Sequence, residues 1–184
     1  MREKAINLVL VTLFSGLIWP TYVLAQQTAE KTDSKIASHG YILKSGEGED
    51  TVGDGSSLTK ASPKTGTRGV VFVDDKMPPS GTSGIHRHLE ADEFFYVLAG
   101  SGQMLLGDVE HEIETGDFVF VPFDTDHRIT SSEDDPLHVI FVVDRPGLDE
   151  QFQAEFQGLD RTKMTVEEFN EVVQKFGTVY KTFD

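Results

Sequence analysis

Residues 81–100 read GTSGIHRHLEADEFFYVLAG, and this stretch decides the fold. His86 and His88 are two positions apart, so both imidazoles point to the same face if the segment is extended. Glu93 follows His88 after four intervening residues. That interval is long enough for a tight excursion of the chain that brings the carboxylate back to the same centre. The spacing therefore predicts two imidazoles and one carboxylate around a common point.

Phe95 and Val97 share the parity of Glu93 on the strand that it begins, and we expect both to line the same cavity. A second stretch, residues 116–131, reads GDFVFVPFDTDHRITS. Its pattern predicts a strand that ends at Pro122, then a turn, and then a new strand that begins at His127.

The first stretch closely resembles the first motif of the cupin superfamily. That motif is Gly, five residues, His-x-His, three or four residues, Glu, six residues, Gly. His86, His88, Glu93 and Gly100 fit it in full, whereas the leading Gly is displaced by one position and Ser80 stands in its place.

The second stretch resembles the second cupin motif, which is Gly, five residues, Pro-x-Gly, two residues, His, three residues, Asn. Gly116, Pro122 and His127 fall in register, but Asp124 replaces the turn Gly and Ser131 replaces the final Asn. Asp tolerates left-handed backbone angles better than most residues, so we expect the turn to survive. The resemblance extends over about residues 40–160.

The resemblance implies a metal site with four ligands: His86, His88, Glu93 and His127. Three neutral imidazoles and one carboxylate suit one divalent Mn, Fe, Ni, Co, Cu or Zn ion. Four ligands leave one or two positions free for water or substrate, which is typical of a catalytic site. The chain contains no cysteine, which excludes thiolate ligands, disulfides and iron–sulfur clusters. His39, His111 and His138 are interpreted as surface or packing residues.

Short apolar runs separated by turn residues begin after Arg68, and many short strands at close spacing indicate an antiparallel sandwich or barrel. With the resemblance, this pattern predicts an all-β fold, a small antiparallel double-sheet β-barrel of the jelly-roll or cupin type. The predicted strands are a weak one at 41–43 and others at 70–73, 94–98, 103–106, 109–113, 118–121 and 137–143.

One or two C-terminal helices are predicted after Pro146. Leu148, Phe152 and Phe156 recur every four residues, as in an amphipathic helix. Residues 165–168 form a capping box, which predicts a second helix that ends near Gly177. We expect both helices to cover a face or an edge of the barrel.

The N-terminus has the features of a secretion signal. Arg2 and Lys4 precede an apolar run, and residues 23–25 resemble a signal-peptidase site. The alternative is an uncleaved membrane anchor, which Pro20 disfavours. We expect an exported protein, periplasmic or secreted. The predicted parts are a signal peptide at 1–25, a flexible lead-in at 26–38, a cupin barrel domain at 39–160 and a C-terminal helical extension at 161–184.

The net charge of −15 makes nucleic acid and anionic membranes poor partners, because like charges repel. We therefore expect a small-molecule substrate or ligand, no nucleic acid, and no membrane contact after signal cleavage. Cupins commonly pair through edge strands, so the resemblance also implies a homodimer.

Three functions fit this ligand set. The resemblance to cupins related to quercetin dioxygenase implies a metal-dependent dioxygenase acting on a small phenolic or enol-type molecule, with Glu93 as both ligand and catalytic base. The alternatives are a non-oxidative metal-dependent isomerase or lyase, and a non-enzymatic cupin that binds a small ligand or metal. Six aromatic residues could line the pocket, with half of them facing outward: Phe94, Phe95, Tyr96, Phe118, Phe120 and Phe123.

Overall fold

The structure is a computed structural model that describes residues 39–184, except for the side chains of residues 156–158. The predicted signal peptide and lead-in lie outside the described residues, and export stays a prediction. Within residues 39–184, no helix is both long enough and apolar enough to cross a membrane.

The described residues form two antiparallel β-sheets, as the sequence predicts, together with a few helices. The first sheet has the strand order β1 (Glu49–Asp50), β2 (Ser57–Ala61), β3 (Val71–Lys76), β10 (His138–Val143), β5 (Glu93–Ala99) and β8 (Phe118–Val121). The second sheet has the order β11 (Thr178–Tyr180), β4 (His86–His88), β9 (His127–Ser131), β6 (Ser101–Leu106) and β7 (Val109–Glu114).

The core lies between the two sheets, because alternate side chains of each strand point inward. On β5, Phe95 and Val97 are both buried on the side of Glu93, but only Phe95 lines the cavity beside Glu93; the prediction is wrong for Val97, which is part of the apolar core, and Tyr96 and Leu98 are exposed. Large inward residues of the other strands complete one apolar cluster, which includes Val71, Val73, Met104, Val119, Val121, Ile129, Val139, Phe141 and Val143.

Both predicted helices are present, as α1 (Leu148–Gly158) and α2 (Val166–Val173). The capping box begins α2: the Thr165 hydroxyl accepts from the Glu168 amide at 3.2 Å, and the Glu168 carboxylate accepts from the Thr165 amide at 2.9 Å. A 3-10 turn then carries the chain to Gly177, where φ is 90°. Leu148 of α1 packs on the barrel core.

The structure differs from the predicted strands at four short segments, one of which is β1, a two-residue strand in a stretch without an apolar run. Residues 41–43 form no strand; they are exposed, and the Tyr41 hydroxyl donates to the Lys60 carbonyl at 2.6 Å. Strands β2 and β11 are not predicted, because SLTKA and TVY are too short and too mixed to show a period. The predicted C-terminal helical extension thus also contributes a strand to the second sheet.

Ser80 and Asp124, which replace glycines of the two cupin motifs, both have the left-handed backbone conformation that glycine adopts readily. Among the described non-glycine residues, Ser80 with φ of 55° and Asp124 with φ of 56° are those with positive φ. They stand at the leading Gly of the first motif and at the turn Gly of the second. The expectation that Asp124 tolerates a left-handed turn is therefore confirmed.

Gly100 lies where the chain passes close to a neighbouring segment, which yields a prediction about stability. Its φ is 83°, and a Cβ there would lie 2.1 Å from the Pro136 carbonyl oxygen. Gly107 has a φ of 60° and nothing within 4 Å of the same point, so it is a matched control. We expect Gly100→Ala to lower the free energy of unfolding by more than about 3 kcal/mol and Gly107→Ala by about 1 kcal/mol, as measured by urea denaturation. Equal losses would contradict the close-approach explanation.

Candidate metal centre

Four buried side chains from three strands meet inside the barrel. His86 and His88 lie on β4, Glu93 begins β5 and His127 begins β9. One ligand atom of each lies within 4.8 Å of the other three. Strand β4 pairs with β9 so that His86 is opposite His127, and their ring centroids are 4.2 Å apart. The structure thus brings together all four residues that the sequence identifies as ligands.

The Glu93 carboxylate is at the centre of the cluster. Its Oε2 lies 3.2 Å from Nε2 of His88 and 2.8 Å from Nε2 of His127. The first contact is a hydrogen bond, whereas Nε2 of His127 is not aligned for one and has no other partner among the described residues. Three atoms that can act as metal ligands, one oxygen and two nitrogens, therefore converge on one point.

Two of the imidazoles are held by backbone carbonyls on the side away from this centre. Nδ1 of His86 lies 3.1 Å from the Gly84 oxygen, and Nδ1 of His127 lies 2.9 Å from the Thr125 oxygen. A carbonyl oxygen only accepts, so each Nδ1 carries a proton, and in the neutral ring each Nε2 is the nitrogen that can bind an ion. This is the tautomer that binds a metal through Nε2.

Strand β11 covers one side of the cluster. The hydroxyl of Thr178 lies 3.0 Å from Nδ1 of His88. The Tyr180 ring stacks on the His86 ring, with centroids 5.0 Å apart and planes inclined by 19°. The C-terminal segment therefore contacts two of the four candidate ligands.

Burial and mutual charge set the ionisation of the cluster. Burial, together with the neighbouring imidazoles, holds the pKa of His86 well below its ordinary value. Burial alone would raise the pKa of Glu93, but His88 and His127 outweigh it and hold that pKa below its ordinary value. Although burial lowers it, the adjacent carboxylate leaves the pKa of His127 above its ordinary value. An ionised carboxylate with a low pKa is a good ligand and a weak proton acceptor.

The donor set fits a divalent transition metal. Imidazole nitrogens combined with one carboxylate oxygen suit Mn, Fe, Co, Ni, Cu or Zn, whereas Ca²⁺ and Mg²⁺ are bound mainly by oxygen. The unpartnered Nε2 of His127 is the buried polar atom that an ion would satisfy. The cluster is therefore able to bind a metal ion.

The cluster opens on a cavity of about 550 Å³, enough for a small organic molecule. One wall is aromatic: the ring centroids of Phe95 and Phe141 are 5.9 Å apart, and those of Phe141 and Phe152 are also 5.9 Å apart. The apolar wall is therefore built by β5, β10 and α1.

Another part of the lining, the polar wall, consists of Gln151, Glu155, Arg161 and Tyr180. Gln151 donates to Glu155 at 2.6 Å, and Arg161 donates to the other oxygen of Glu155 at 2.7 Å. The same guanidinium donates to the Tyr180 hydroxyl at 2.9 Å. These four residues all line the cavity, so a hydrogen-bonded chain of side chains leads from α1 to the ring that stacks on the cluster.

A further carboxylate, on Asp75, lines the same cavity. Burial raises its pKa to about 6, although a hydrogen bond from Ser57 opposes the shift. A carboxyl group with this pKa exchanges its proton near neutral pH, which suits acid–base work.

Most of the aromatic residues that the sequence suggests for the pocket do not line it. Of the six aromatic residues proposed for the pocket, only Phe95 lines it; Phe94, Tyr96, Phe118, Phe120 and Phe123 do not, and all but the partly buried Phe94 are exposed. The parity of β5 and β8 explains this, because Glu93, Val119 and Val121 occupy the inward positions. The same parity argument could have found Phe141, which alternates with outward residues on β10.

The other histidines lie apart from the cluster. His138 pairs with Asp74 at 2.6 Å, and His39 and His111 are exposed. Interpreting all three as surface or packing residues agrees with these positions.

Comparisons with known proteins identify the central segment. Residues 74–143 match the family model described as "Cupin domain". Protein SchB of Streptomyces halstedii is 32% identical over 94 residues, which are 49% of this chain and 65% of SchB. The oxalate-binding protein of Thermotoga maritima is 27% identical over 73 residues, which are 40% of this chain and 60% of that protein.

A solved structure described as a sugar phosphate isomerase of Silicibacter pomeroyi, from a cupin superfamily, is 26% identical with a TM-score of 0.44. The match covers 50% of this chain and 59% of that chain. The chain thus spans less than two thirds of the length of each of these relatives.

The cluster predicts metal content directly. We expect the purified protein to carry about one divalent metal ion per chain, and His86→Ala or Glu93→Ala to lose it, because each removes one of only four ligands. Elemental analysis by mass spectrometry measures the ratio. His111→Ala is the matched control, since it removes an exposed imidazole elsewhere, and its metal content should not change. Equal loss in this control would contradict the assignment.

Proposed function

We propose, from the premise that this chain belongs to the cupin superfamily, that it is a metal-dependent enzyme of the dioxygenase type acting on a small phenolic or enol-type molecule. The observation that carries the proposal is the buried cluster of three imidazoles and a carboxylate facing a cavity of about 550 Å³ with an aromatic wall. A structural metal site would not need such a cavity.

A divalent ion in the cluster would supply a positive charge that lowers the pKa of a hydroxyl group on the substrate. The rings of Phe95, Phe141 and Phe152 would hold a planar substrate by apolar and stacking contacts. Because the cavity lies between the two sheets, its walls exclude most water and strengthen each electrostatic contact inside.

Two carboxylates are candidates for accepting the proton of that hydroxyl. The low pKa of Glu93 makes it a weak acceptor, so we assign it the role of ligand. Asp75, with a pKa of about 6, exchanges its proton near neutral pH, but the strand register places it level with Val97, four residues along β5 from Glu93, so it would act on a part of the substrate away from the ion. Glu93 as a catalytic base is therefore the less favoured form of the proposal.

Oxygen consumption tests the proposal. We expect metal-loaded protein to consume oxygen with a member of a flavonol and catechol panel, as followed with an oxygen electrode. Phe141→Ala should raise KM for that substrate about tenfold by removing stacking area. Phe118→Ala removes a similar ring from the outer face and should leave KM unchanged. Absence of oxygen uptake with the whole panel would contradict the dioxygenase assignment.

The polar wall favours a second candidate, a non-oxidative isomerase or lyase. In this reaction Asp75 would accept a proton from the substrate, and Arg161, which Glu155 holds in place, would stabilise the negative charge that remains. Neither step needs oxygen. In that case turnover persists under nitrogen, and its rate falls as the pH drops through about 6, because a protonated Asp75 cannot accept a proton. No turnover, with a small molecule retained through purification, would instead indicate a binding protein.

The outer face of β5 and β8 suits contact with a second copy of the chain. Strand β8 is an edge strand, and the Phe94 ring stacks on those of Phe118 and Phe120 at 6.3 and 5.2 Å. Exposed aromatic rings on an edge strand of a protein with net charge −15 form a neutral patch that is suited to self-association.

We therefore propose a homodimer through this face. Light scattering after size exclusion should show a dimer that Phe118→Ser converts to monomer. Val109→Ser, an exposed apolar position on β7 in the other sheet, is the control and should remain dimeric. A monomeric wild-type protein would contradict the proposal.

A further inference from the structure

We propose that Thr178 is a positioning residue for the metal centre, and that it couples metal binding to the docking of strand β11. The proposal rests on the metal centre of the proposed function, but on no particular reaction. It concerns the C-terminal segment, residues 161–184, which lies outside the two motifs that identify the ligands.

Strand β11 places its side chains directly against the two ligands of β4. Thr178 is the backbone partner of His88, and Tyr180 is the partner of His86. Thr178 and Tyr180 are both buried, with 1% and 5% of their surface exposed. Opposite positions on paired strands put side chains in contact on the same face, so the register of β11 decides what each imidazole meets.

The group that holds His88 is a side chain distant in sequence, whereas backbone groups close in sequence hold His86 and His127. His86 and His127 meet backbone oxygens only two residues away, in the segments that lead into their strands. The partner of His88 is a side chain 90 residues further along the sequence. The orientation of His88 therefore depends on whether the C-terminal segment is docked.

The chemistry of this contact is specific. If His88 binds an ion through Nε2, its Nδ1 carries the proton, and the Thr178 oxygen at 3.0 Å accepts it. The same contact holds the ring plane of His88 before an ion arrives, and the hydroxyl can accept from Nδ1 once the ion takes Nε2. A side chain of the same shape without the hydroxyl would leave a buried N–H without a partner.

Strand β11 is itself held in place by many contacts, so Thr178 is presented rigidly. The Asn170 side chain donates to the Tyr180 carbonyl and accepts from the Tyr180 amide, each at 2.8 Å. Arg161 lies 4.8 Å from the centre of the Tyr180 ring, and Phe169 packs edge-on against that ring at 5.1 Å. These contacts fix the strand from the side away from the ligands.

Backbone hydrogen bonds at both ends of the pairing report on docking. The Leu89 amide donates to the Gly177 oxygen, and the Lys181 amide donates to the Ile85 oxygen, each at 2.7 Å. Because coupling free energies are reciprocal, an ion that binds better when β11 is docked also holds β11 in place. Exchange of the Leu89 and Lys181 amides should therefore slow when the ion binds.

A titration with Co²⁺ alone tests the positioning role, using the full chain after its metal has been removed with a chelator. We expect Thr178→Val to weaken Co²⁺ binding by about 10- to 100-fold and to change the visible absorption of the bound ion. Thr178→Ser, which keeps the hydroxyl, should bind within about threefold of wild type. Thr182→Val is the control: its hydroxyl donates to the Asp184 carbonyl, and its loss should leave affinity unchanged.

Hydrogen exchange on the wild-type protein gives an independent result if Thr178→Val does not fold. We expect Co²⁺ to slow exchange at Leu89 and Lys181. Unchanged affinity and spectrum in folded Thr178→Val, or no change of exchange on loading, would overturn the positioning role while leaving the proposed function intact. Wild-type protein that binds no Co²⁺ would overturn the metal centre itself.

Discussion

The burial of the Glu93 carboxylate is the constraint on which the rest of the structure depends. An isolated ionised carboxylate inside a barrel costs several kcal/mol, on the order of the whole stability of a domain. Here only 4% of Glu93 is exposed, and its compensation comes from His88 and His127, with a cation as the natural completion. The fold must therefore deliver imidazoles from two other strands to this one position, which fixes the register of β4, β5 and β9.

The backbone conformation of the turn before His127 helps to set the pairing of β4 with β9. The turn before His127 is tied to strand β4, because the Asp124 amide donates to the His88 carbonyl at 2.7 Å and Arg87 pairs with Asp124 at 3.1 Å. The left-handed backbone of Asp124 makes this turn tight enough to bring His127 opposite His86. A side chain can thus replace the glycine of a motif when its own contacts offset the strain.

The sequence predicts that the four residues of the cluster meet, because their spacing within each motif is local. Parity on an extended strand places His86 and His88 together, and the two motifs add Glu93 and His127. The polar wall has no such signal: Gln151 lies on the first predicted helix and Arg161 in the predicted helical extension, and neither stretch has a motif that places it at the cavity. Strand β11 is missed for the same reason, since three residues gain their structure only by pairing with β4.

The barrel and the C-terminal segments contribute different side chains to the cavity, and this bears on which molecules it accepts. The barrel supplies the histidine and glutamate cluster and two of the aromatic rings, whereas α1 and the segment after it supply Phe152, Gln151, Glu155 and Arg161, so the lining of the cavity can change without the barrel. The charged side chains that line the cavity, apart from the imidazoles, are four carboxylates and two cations: Asp54, Asp75, Glu93, Glu155, Lys76 and Arg161. A divalent ion would bring this balance to neutrality. With a neutral lining, a strongly anionic molecule gains no net electrostatic attraction from the cavity as a whole, so shape and individual hydrogen bonds decide what the cavity accepts.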